Sequence, residues 1–407
     1  MGVKLKTALL FIFMLIIFGG ITIALYHEMI FYFGRTQPDA IQYVEAFAPI
    51  TEPEPVVYSN EDTYPPEDIF THDIHEYDYQ HNNSDETPDP HLQEPYEPEP
   101  QSNIITITLS AAGDTTLGGD RRWAGYHAFM REFENSGRDH SHFLRNIAHI
   151  FYESDLSIVN LEGTLTYAQE HEDKQFAFRG PPHFAQILSS SHVDAVTISN
   201  NHTIDFFRRG YEDTVAALQA EDIAYFGNEF KTIMDVNGIQ VGMYGYRIWQ
   251  DTAENRNRIR AAIEYLQDRG AQLIIAYYHW GVERDNFPQQ YQINIGRYTI
   301  RNGAHLVLGA HPHVVQGIEQ YMGRFIVYSL ANFSFGGNAN PPDQDSFIFQ
   351  QTFSFYNGVL LPDANKNVIP IFVSSVRYRN DFRPTIAEGA DGERILARIE
   401  RYSEWLR

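Results

Sequence analysis

The chain has 407 residues, of which 43% are hydrophobic, contains no cysteine and carries a formal net charge of −23. This length accommodates one large domain or two ordinary ones, with enough apolar residues for a substantial core. The lack of cysteine excludes disulfides, thiolate catalysis and cysteine-ligated zinc. No stretch has the clustered Lys and Arg residues that nucleic-acid-binding proteins use, so the composition indicates no nucleic-acid partner.

The negative charge is concentrated in the N-terminal quarter. Of the 53 acidic residues, 17 lie between Gln37 and Asn103, and this stretch has neither Lys nor Arg. The part from Ile104 onward carries only about −8, which is ordinary for a soluble domain. We therefore divide the chain into an N-terminal segment at 1–36, an acidic linker at 37–103 and a folded domain at 104–407.

The first segment has the pattern of a membrane anchor. Lys4 and Lys6 precede about 19 mostly apolar residues, Ala8 to Tyr26, close to the ~20 that cross a bilayer as a helix. The apolar stretch is longer than that of a secretory signal, and no small-residue cleavage site follows it. We therefore predict an uncleaved signal anchor rather than a cleaved peptide. The two lysines stay inside, so this single-pass helix in the cell membrane places the C-terminal domain outside.

Residues 37–103 are rich in Pro, Glu and Asp, as in Thr51-Glu52-Pro53-Glu54-Pro55. Such a segment buries too little apolar surface to offset the entropy lost on ordering. Repeated proline and like charge keep it extended. The composition predicts a disordered stalk between the membrane and the domain.

From Ile104 onward, short β-rich runs alternate with helix-length segments, the pattern of a parallel α/β sheet. Six runs each lead directly into polar residues. The runs are Ile104–Leu109, Leu156–Val159, Ala195–Ile198, Leu273–Tyr278, Leu306–Leu308 and Arg324–Leu330, and the residues that follow them include Asp114, Glu162, Asn201, His279, His311, His313 and Asn332. Ligands of open α/β sheets bind beyond the carboxyl ends of the strands. We therefore expect these side chains to share one site.

Three further expectations concern the backbone. Pro312 is expected to hold His311 in an extended conformation, because the residue before a proline is driven out of the helical region. Phe353–Leu361 has the composition of a late strand that helps complete the domain. Asp391–Trp405 has the apolar spacing of a packing helix.

The mixture of carboxylate, amide and imidazole groups without sulfur suits Mn²⁺, Fe or Zn²⁺ better than Ca²⁺. At least six candidate ligands exceed the need of one tetrahedral zinc. They suit two ions about 3.5–4 Å apart, which clamp the attacking and leaving oxygens of a phosphoryl displacement. Taken singly, each residue also has a structural interpretation: Asp114 as a helix cap, Asn201 as a turn former, and Glu162 and His279 as surface groups.

Six motifs in order carry a family resemblance. They are Gly113-Asp114, Asn160-Leu161-Glu162-Gly163, Asn200-Asn201-His202 with Asp205, His279-Trp280-Gly281-Val282-Glu283, Gly309-Ala310-His311-Pro312-His313 and Tyr328-Ser329-Leu330-Ala331-Asn332-Phe333. Together they resemble the CapA/PgsA family of poly-γ-glutamate capsule synthesis proteins, which is similar to the calcineurin-like metallophosphoesterases. The resemblance runs from about Ile104 to the C-terminus and implies a metallophosphoesterase-like α/β sandwich.

The resemblance also implies roles for individual residues. It places the metal ligands at Asp114, Glu162, Asn201, His279, His311 and His313. It places His202 at the position of the histidine that acts at the leaving group or the transition-state oxygens, which makes it the candidate catalytic residue. Residues expected to bind substrate or to support the ligands are Asn160, Asn200, Asp205, Glu283 and Asn332. The implied cofactor is one or two divalent metal ions, Mn, Fe or Zn.

The sequence departs from the expected motifs at several positions. Thr116 stands where metallophosphoesterases have a histidine, so one imidazole is missing. Asn160 and Glu162 replace the usual Gly-Asp-x-x-Asp, which leaves the bridging group open between them. Ala331 and Phe207 stand where the capsule family has glycine.

The main functional hypothesis is a membrane-anchored, extracellular, metal-dependent hydrolase of capsule biosynthesis, acting on an anionic polymer or a phosphoester. The alternative is a non-catalytic polymer-binding or scaffolding subunit of a membrane polyglutamate synthase or export complex. A third possibility is a hydrolase of a surface glycan or nucleotide. The expected partners are the membrane and other capsule synthase subunits.

Overall fold

The computed structural model describes residues 104–362 and 365–407. The predicted anchor at 1–36 and the predicted stalk at 37–103 lie outside these residues. Within the described ranges, no helix combines the length and the apolar character that crossing a membrane requires.

Seventeen strands and seven α-helices make up the described part of the chain. The strands are β1 (Ile104–Thr116), β2 (Leu156–Leu161), β3 (Thr164–Leu165), β4 (Arg179–Gly180), β5 (Ala195–Thr197), β6 (Ala224–Phe226), β7 (Thr232–Val236), β8 (Ile239–Ile248), β9 (Leu273–Trp280), β10 (Leu306–Ala310), β11 (Ile318–Tyr321), β12 (Arg324–Val327), β13 (Asn332–Phe335), β14 (Asp345–Tyr356), β15 (Val359–Leu360), β16 (Asn365–Phe372) and β17 (Thr385–Ile386). The helices are α1 (Ala124–Asn135), α2 (Ala148–Tyr152), α3 (Ala185–Ser189), α4 (Phe207–Ala220), α5 (Ala253–Gln267), α6 (Gln290–Arg301) and α7 (Gly389–Glu404).

The strands form two mixed sheets rather than the single parallel sheet expected from the alternating pattern. In the first sheet the order is β17-β16-β14-β1-β2-β5-β6, with β13 paired to β1 and β15 to β14. In the second sheet the order is β11-β12-β10-β9-β8-β7. The centre of each sheet is parallel, and antiparallel strands such as β14 and β7 flank it. The small β3–β4 pair lies apart from both.

The two sheets pack face to face. Their strands are buried on both sides, so alternate residues enter different cores. In β9, Ile275 and Tyr277 face the shared core between the sheets. Ile274 and Tyr278 face a second core beneath α5 and α6. The first sheet behaves in the same way, with α1 and α4 covering its outer face. The architecture is therefore an α/β sandwich, as predicted.

The predicted strand Phe353–Leu361 is wrong as a single element. The strand β14 ends at Tyr356, and the chain reverses at Asn357 and Gly358, whose φ angles are 51° and 77°. Two consecutive residues with positive φ make the tight turn that joins antiparallel strands. The C-terminal helix, in contrast, lies where the apolar spacing predicted it.

Candidate functional site

Three of the predicted ligands come from the carboxyl ends of parallel strands in the first sheet. Asp114 lies near the end of β1, Glu162 directly follows β2, and Asn201 lies in the turn after β5. Gly113 allows β1 to approach the neighbouring chain closely, because a Cβ there would lie 1.9 Å from the carbonyl oxygen of Ala331. The backbone N–H of Asp114 donates to that oxygen over 2.9 Å.

The other three ligands come from the second sheet. His279 lies in β9, and His311 and His313 follow β10. The φ angles of His311 and His313 are 97° and 59°, so His311 is not extended as the sequence predicted. Its backbone N–H points at the carboxylate of Asp114, 3.1 Å from Oδ2. This contact between the sheets outweighs the local preference set by Pro312.

Asp114 joins the two halves of the site. Its side chain is fully buried. Its Oδ1 accepts a hydrogen bond from Asn160 Nδ2 at 2.7 Å, and its Oδ2 lies 3.1 Å from His313 Nδ1. Asp114 therefore contacts residues of both sheets, which a helix cap or a surface carboxylate would not do.

Glu162 lies at the centre of the cluster. It is fully buried, and neither carboxylate oxygen has a hydrogen-bond partner among the described residues. Its Oε1 lies 3.7 Å from His279 Nε2, 3.9 Å from His202 Nε2 and 4.0 Å from His313 Nε2. Burial, and then the charge of Asp114, raises the pKa of Glu162 well above its usual range.

The imidazoles around Glu162 differ in electrostatic state. Burial lowers the pKa of His279 well below its usual range and lowers that of His311 to about 4. Burial also opposes the charging of His313, but the carboxylates of Glu162 and Asp114 outweigh it and raise the pKa of His313 to about 10. His279 and His311 are therefore neutral, the state in which imidazole binds metals.

The donor set fits a divalent cation. Ligand atoms of Glu162, His311 and His313 all lie within 4.8 Å of one another. Nδ1 of His311, like the oxygens of Glu162, is buried without a hydrogen-bond partner in the described part of the chain. Unpartnered buried polar atoms are costly. A cation at this point would satisfy all of them.

His279 and Asn201 supply two further potential ligand atoms next to Glu162, His311 and His313. His279 Nε2 lies 2.6 Å from Asn201 Oδ1. Asn160 Nδ2 lies 3.2 Å from His279 Nδ1, on the opposite side of the ring. The structure thus brings all six predicted ligands together, and we call Asp114, Glu162, Asn201, His279, His311 and His313 the central cluster.

The candidate catalytic residue His202 is held firmly beside the cluster. Its Nδ1 lies 2.6 Å from Asp205 Oδ2, so the proton on Nδ1 is donated to that carboxylate and Nε2 faces Glu162. Its ring stacks on Phe178 with centroids 4.0 Å apart. Burial lowers the pKa of His202, and the Asp205 hydrogen bond opposes that shift. Lys174 in turn donates to Asp205 Oδ1.

The remaining predicted residues divide into two groups. Asn160, Asn200 and Asn332 are buried in the hydrogen-bond network around the cluster. Asn200 Nδ2 donates to the carbonyl oxygen of Leu161, and Asn332 Oδ1 accepts from His313 Nδ1 at 2.9 Å. Glu283, in contrast, is exposed and makes no hydrogen bond to a histidine within the described ranges. It lines a cleft beside the cluster instead.

Several residues near the site were not predicted from the sequence. Trp249 packs against His311 with ring centroids 4.7 Å apart. Phe176, Phe178 and Phe335 line the cleft together with His202 and His313. Trp249, Phe176 and Phe178 lie outside helices and strands, where no periodic pattern marks a residue as buried or functional. We call Phe176, Phe178 and Phe335 the aromatic wall of the cleft. The Phe-x-Phe pair at 176–178, in a polar segment, is the one sequence signal for it.

Comparisons with known proteins place the chain in a family. The model of the bacterial capsule synthesis protein PGA_cap matches residues 108–337. This match covers more than half of the chain and includes every residue of the central cluster. The chain belongs to this family.

Individual relatives agree with this assignment. The PGA biosynthesis protein CapA of Bacillus subtilis is 26% identical over 207 residues, covering 46% of this chain and 54% of the relative. The capsule biosynthesis protein CapA of Bacillus anthracis is 24% identical over 256 residues, covering 56% of this chain and 60% of the relative. A probable polyglutamine synthesis accessory protein of Mycobacterium tuberculosis is 24% identical over 285 residues, covering 61% of this chain and 73% of the relative. The chain thus spans little more than half the length of the two Bacillus relatives.

The structure shows the conformation and contacts of three residues that depart from the expected motifs. Ala331 and Phe207, which replace glycines, have φ angles of 61° and 52°, in the region that glycine adopts without strain. Thr116 does not face the cluster as a ligand would. Its hydroxyl donates to the carbonyl oxygen of Glu162 over 2.8 Å and so fixes the backbone of that residue.

Proposed function

We propose that the protein is a metal-dependent hydrolase of poly-γ-glutamate capsule biosynthesis, with a metallophosphoesterase-like fold and site. The observation that supports this proposal best is the buried Glu162 carboxylate, unpartnered among the described residues and within 4.0 Å of three imidazoles. PGA biosynthesis, capsule biosynthesis and polyglutamine synthesis stand in the names of its relatives. The metal, the reaction and the substrate are inferences from this donor set and these names.

The central cluster would hold one or two divalent ions, Mn, Fe or Zn. Asp114, which contacts residues of both sheets, would be one of the ligands, and Glu162 would neutralise charge at the centre. When bound, the metal would polarise a phosphoryl or acyl oxygen and lower the pKa of a water molecule. Thr116 leaves the first-sheet side with one nitrogen ligand fewer than metallophosphoesterases have.

The chain's own residues would then handle proton transfer and positioning. His202 would act through Nε2, since its Nδ1 proton is already engaged by Asp205. Nε2 would take up the proton that the attacking water releases and pass it to the leaving group. Asn160 and Asn332 would keep Asp114 and His313 in place through the hydrogen bonds described above. The aromatic wall would exclude bulk water from one side of the site.

We also propose a location and partners. The apolar stretch Ala8 to Tyr26 would anchor the chain in the cell membrane, and the acidic linker would hold the domain outside. In this position the domain would meet the polymer as it leaves a membrane synthase. The alternative role, as a scaffolding or polymer-binding subunit of that synthase, draws support from the missing imidazole at Thr116.

The test uses the full chain purified in detergent. We expect bound Mn or Zn by elemental analysis and metal-dependent cleavage of a chromogenic phosphoester or of poly-γ-glutamate. His313→Ala should abolish both, whereas His127→Ala, which removes an exposed histidine of α1, should change neither. A metal-free, inactive protein that is indifferent to His313→Ala would contradict the hydrolase proposal and favour the scaffold.

A further inference from the structure

The cleft beside the central cluster has an apolar wall and a charged mouth. Phe176, Phe178 and Phe335 line it, and its volume is about 120 Å³. One water needs roughly 10–15 Å³ on this measure. The cleft therefore has room for a group about the size of one amino-acid residue, and this group would lie beside His202 and His313.

Two adjacent residues of opposite charge lie at the mouth of the cleft. Glu283 and Arg284 both line it, and both are exposed. Neither side chain makes a hydrogen bond or an ion pair with another described residue. The third charged residue of the lining outside the histidines, Asp343, is already paired with Arg398 at 2.6 Å. One cation and one anion thus remain to contact a ligand.

The backbone presents these two side chains at an energetic cost. Val282 to Asp285 form a tight turn, closed by the N–H of Asp285 donating to the carbonyl oxygen of Val282 over 3.2 Å. Arg284 has a φ of 64°, a conformation that turns usually assign to Gly or Asn. Its N–H donates to the carbonyl oxygen of Pro312 over 2.8 Å, which ties the turn to the His311–His313 segment. A strained, charged residue beside a reactive centre is typical of a ligand-binding position.

The surrounding charge argues against a simple polyanion as the group bound at the cleft mouth. Glu283 lies near enough to the cluster that its charge, after burial and Asp114, contributes to the raised pKa of Glu162. A ligand group with carboxylates alone would find one partner in Arg284 and repulsion from Glu283. A group with both an ammonium and a carboxylate would pair with both residues.

We propose that the cleft mouth binds a zwitterionic α-amino acid group, with Glu283 contacting the ammonium and Arg284 the carboxylate. This inference rests on the proposed function and specifies the part of the substrate that is recognised. In a γ-linked glutamyl chain, the amino-terminal residue carries a free α-ammonium and a free α-carboxylate on one carbon. Interior residues carry only the carboxylate. In an α-linked chain the amino-terminal residue carries the ammonium, but its free carboxylate lies at the end of the side chain and not on the same carbon. The cleft therefore selects the amino-terminal residue of a γ-linked chain.

The test measures binding by calorimetry with the full chain in detergent and EDTA, so that neither metal nor turnover is needed. The probes are γ-linked triglutamate with a free amino terminus, its N-acetylated form and α-linked triglutamate. We expect the free γ-linked form to bind at least about tenfold more tightly than the other two, the usual effect of one charge-assisted hydrogen bond. Glu283→Gln should remove the preference over the acetylated form, and Arg284→Gln should weaken binding of both γ-linked probes.

Two further variants control the experiment. Arg284→Gly relieves the strained φ, so its loss of binding cannot arise from misfolding. Glu134→Gln with Arg138→Gln removes an exposed ion pair at the C-terminal end of α1 and should leave binding unchanged. Equal binding of the three probes, no binding of any of them, or a preference that survives Glu283→Gln would overturn the inference. Metal content and hydrolysis test the hydrolase proposal separately.

Discussion

The two sheets contribute different chemistry to one site. The first sheet delivers the candidate oxygen ligands of Asp114, Glu162 and Asn201, while the second delivers the candidate nitrogen ligands of His279, His311 and His313. Parallel strands with different chemistry at their carboxyl ends meet because the sheets pack face to face. A hard and a softer set of donors are thereby combined, which suits Mn, Fe and Zn. Neither sheet could build this donor set alone.

Glu162→Gln breaks the oxygen side and should have the largest effect. Gln keeps the volume of the side chain but loses the charge that would neutralise a bound metal. We expect metal affinity to fall by at least about a hundredfold, with the fold retained, measured by elemental analysis and by the shift of Tm on adding Mn²⁺. Glu153→Gln, at an exposed glutamate, is the matched control. Unchanged metal content in Glu162→Gln would contradict the central role of this carboxylate.

His305 lies directly before β10 and outside the central cluster. It therefore shows how burial changes the pKa of an imidazole next to the second sheet. Its Nδ1 accepts a hydrogen bond from the N–H of Ile274, and burial lowers its pKa to about 4. The unfolded pKa is about 6.5, so the folded state binds the proton less well. The resulting stability is present above pH 6.5 and is lost as the pH falls towards 4, by at most roughly 3 kcal/mol.

Urea unfolding at pH 7 and at pH 4.5 measures this loss. His305→Asn keeps an acceptor near the N–H of Ile274 but does not titrate in this range. Its free energy of unfolding should therefore change less between the two pH values than that of the natural chain. An equal change in both proteins would show that other groups control the acid response.

Asn332→Ala tests whether metal affinity depends on the orientation of His313, one of the three histidines from the second sheet. Asn332 accepts from His313 Nδ1 and directs Nε2 towards Glu162. Losing such a supporting contact usually costs 10- to 100-fold in metal affinity, roughly 1.4–2.7 kcal/mol. Titration with Mn²⁺ measures it, and the exposed Asn367→Ala provides the comparison. Full affinity in Asn332→Ala would mean that Asp114 alone orients His313.

Tyr277→Phe weakens the junction of the two sheets. The hydroxyl of Tyr277 in β9 donates to the carbonyl oxygen of Ala112 in β1 over 2.7 Å, within the buried core. We expect the free energy of unfolding to fall by roughly 1 kcal/mol, with metal affinity reduced less than by Asn332→Ala. Urea unfolding and metal titration on the same samples give both values. A large loss of affinity without loss of stability would contradict this order.

Phe207→Gly should have the smallest effect and the opposite sign. Phe207 is 46% exposed and has a φ of 52°, so its side chain contributes little burial while its backbone is strained. Glycine should raise the free energy of unfolding by up to about 1 kcal/mol. Phe207→Ala removes the same ring without relieving the backbone and should not stabilise the chain. Stabilisation by both variants would assign the effect to the ring.

The meeting of the central-cluster residues could be predicted because each lies at or beyond the carboxyl end of a buried strand, and strand ends are readable from local composition. The division into two sheets could not, because it depends on which strands pair across long stretches of chain. The pairing of β1 with β13, more than 200 residues apart, leaves no local pattern. The reversal at Asn357-Gly358 was readable, since Asn-Gly is a strong hairpin signal. The predicted strand Phe353–Leu361 nevertheless includes both residues of this turn.

The aromatic cleft was less accessible to sequence reasoning. Phe178 and Trp249 contact histidines of the site through tertiary packing, and both lie in irregular segments. The conformation of His311 was predicted wrongly for a related reason. Pro312 favours an extended conformation of His311. The backbone N–H of His311 instead contacts the buried carboxylate of Asp114, 197 positions away in the sequence, and this tertiary contact determines the conformation.

The contact between His311 and Asp114 has a consequence for biogenesis. We expect a contact that closes a loop of this length to form late in folding, because the entropy of joining distant segments must be met before the contact forms. A chain that has emerged only as far as β9 would carry the oxygen ligands and a single imidazole. Under the proposed function, a metal would therefore be captured only once nearly the whole domain has folded, and its binding would drive the last steps to completion.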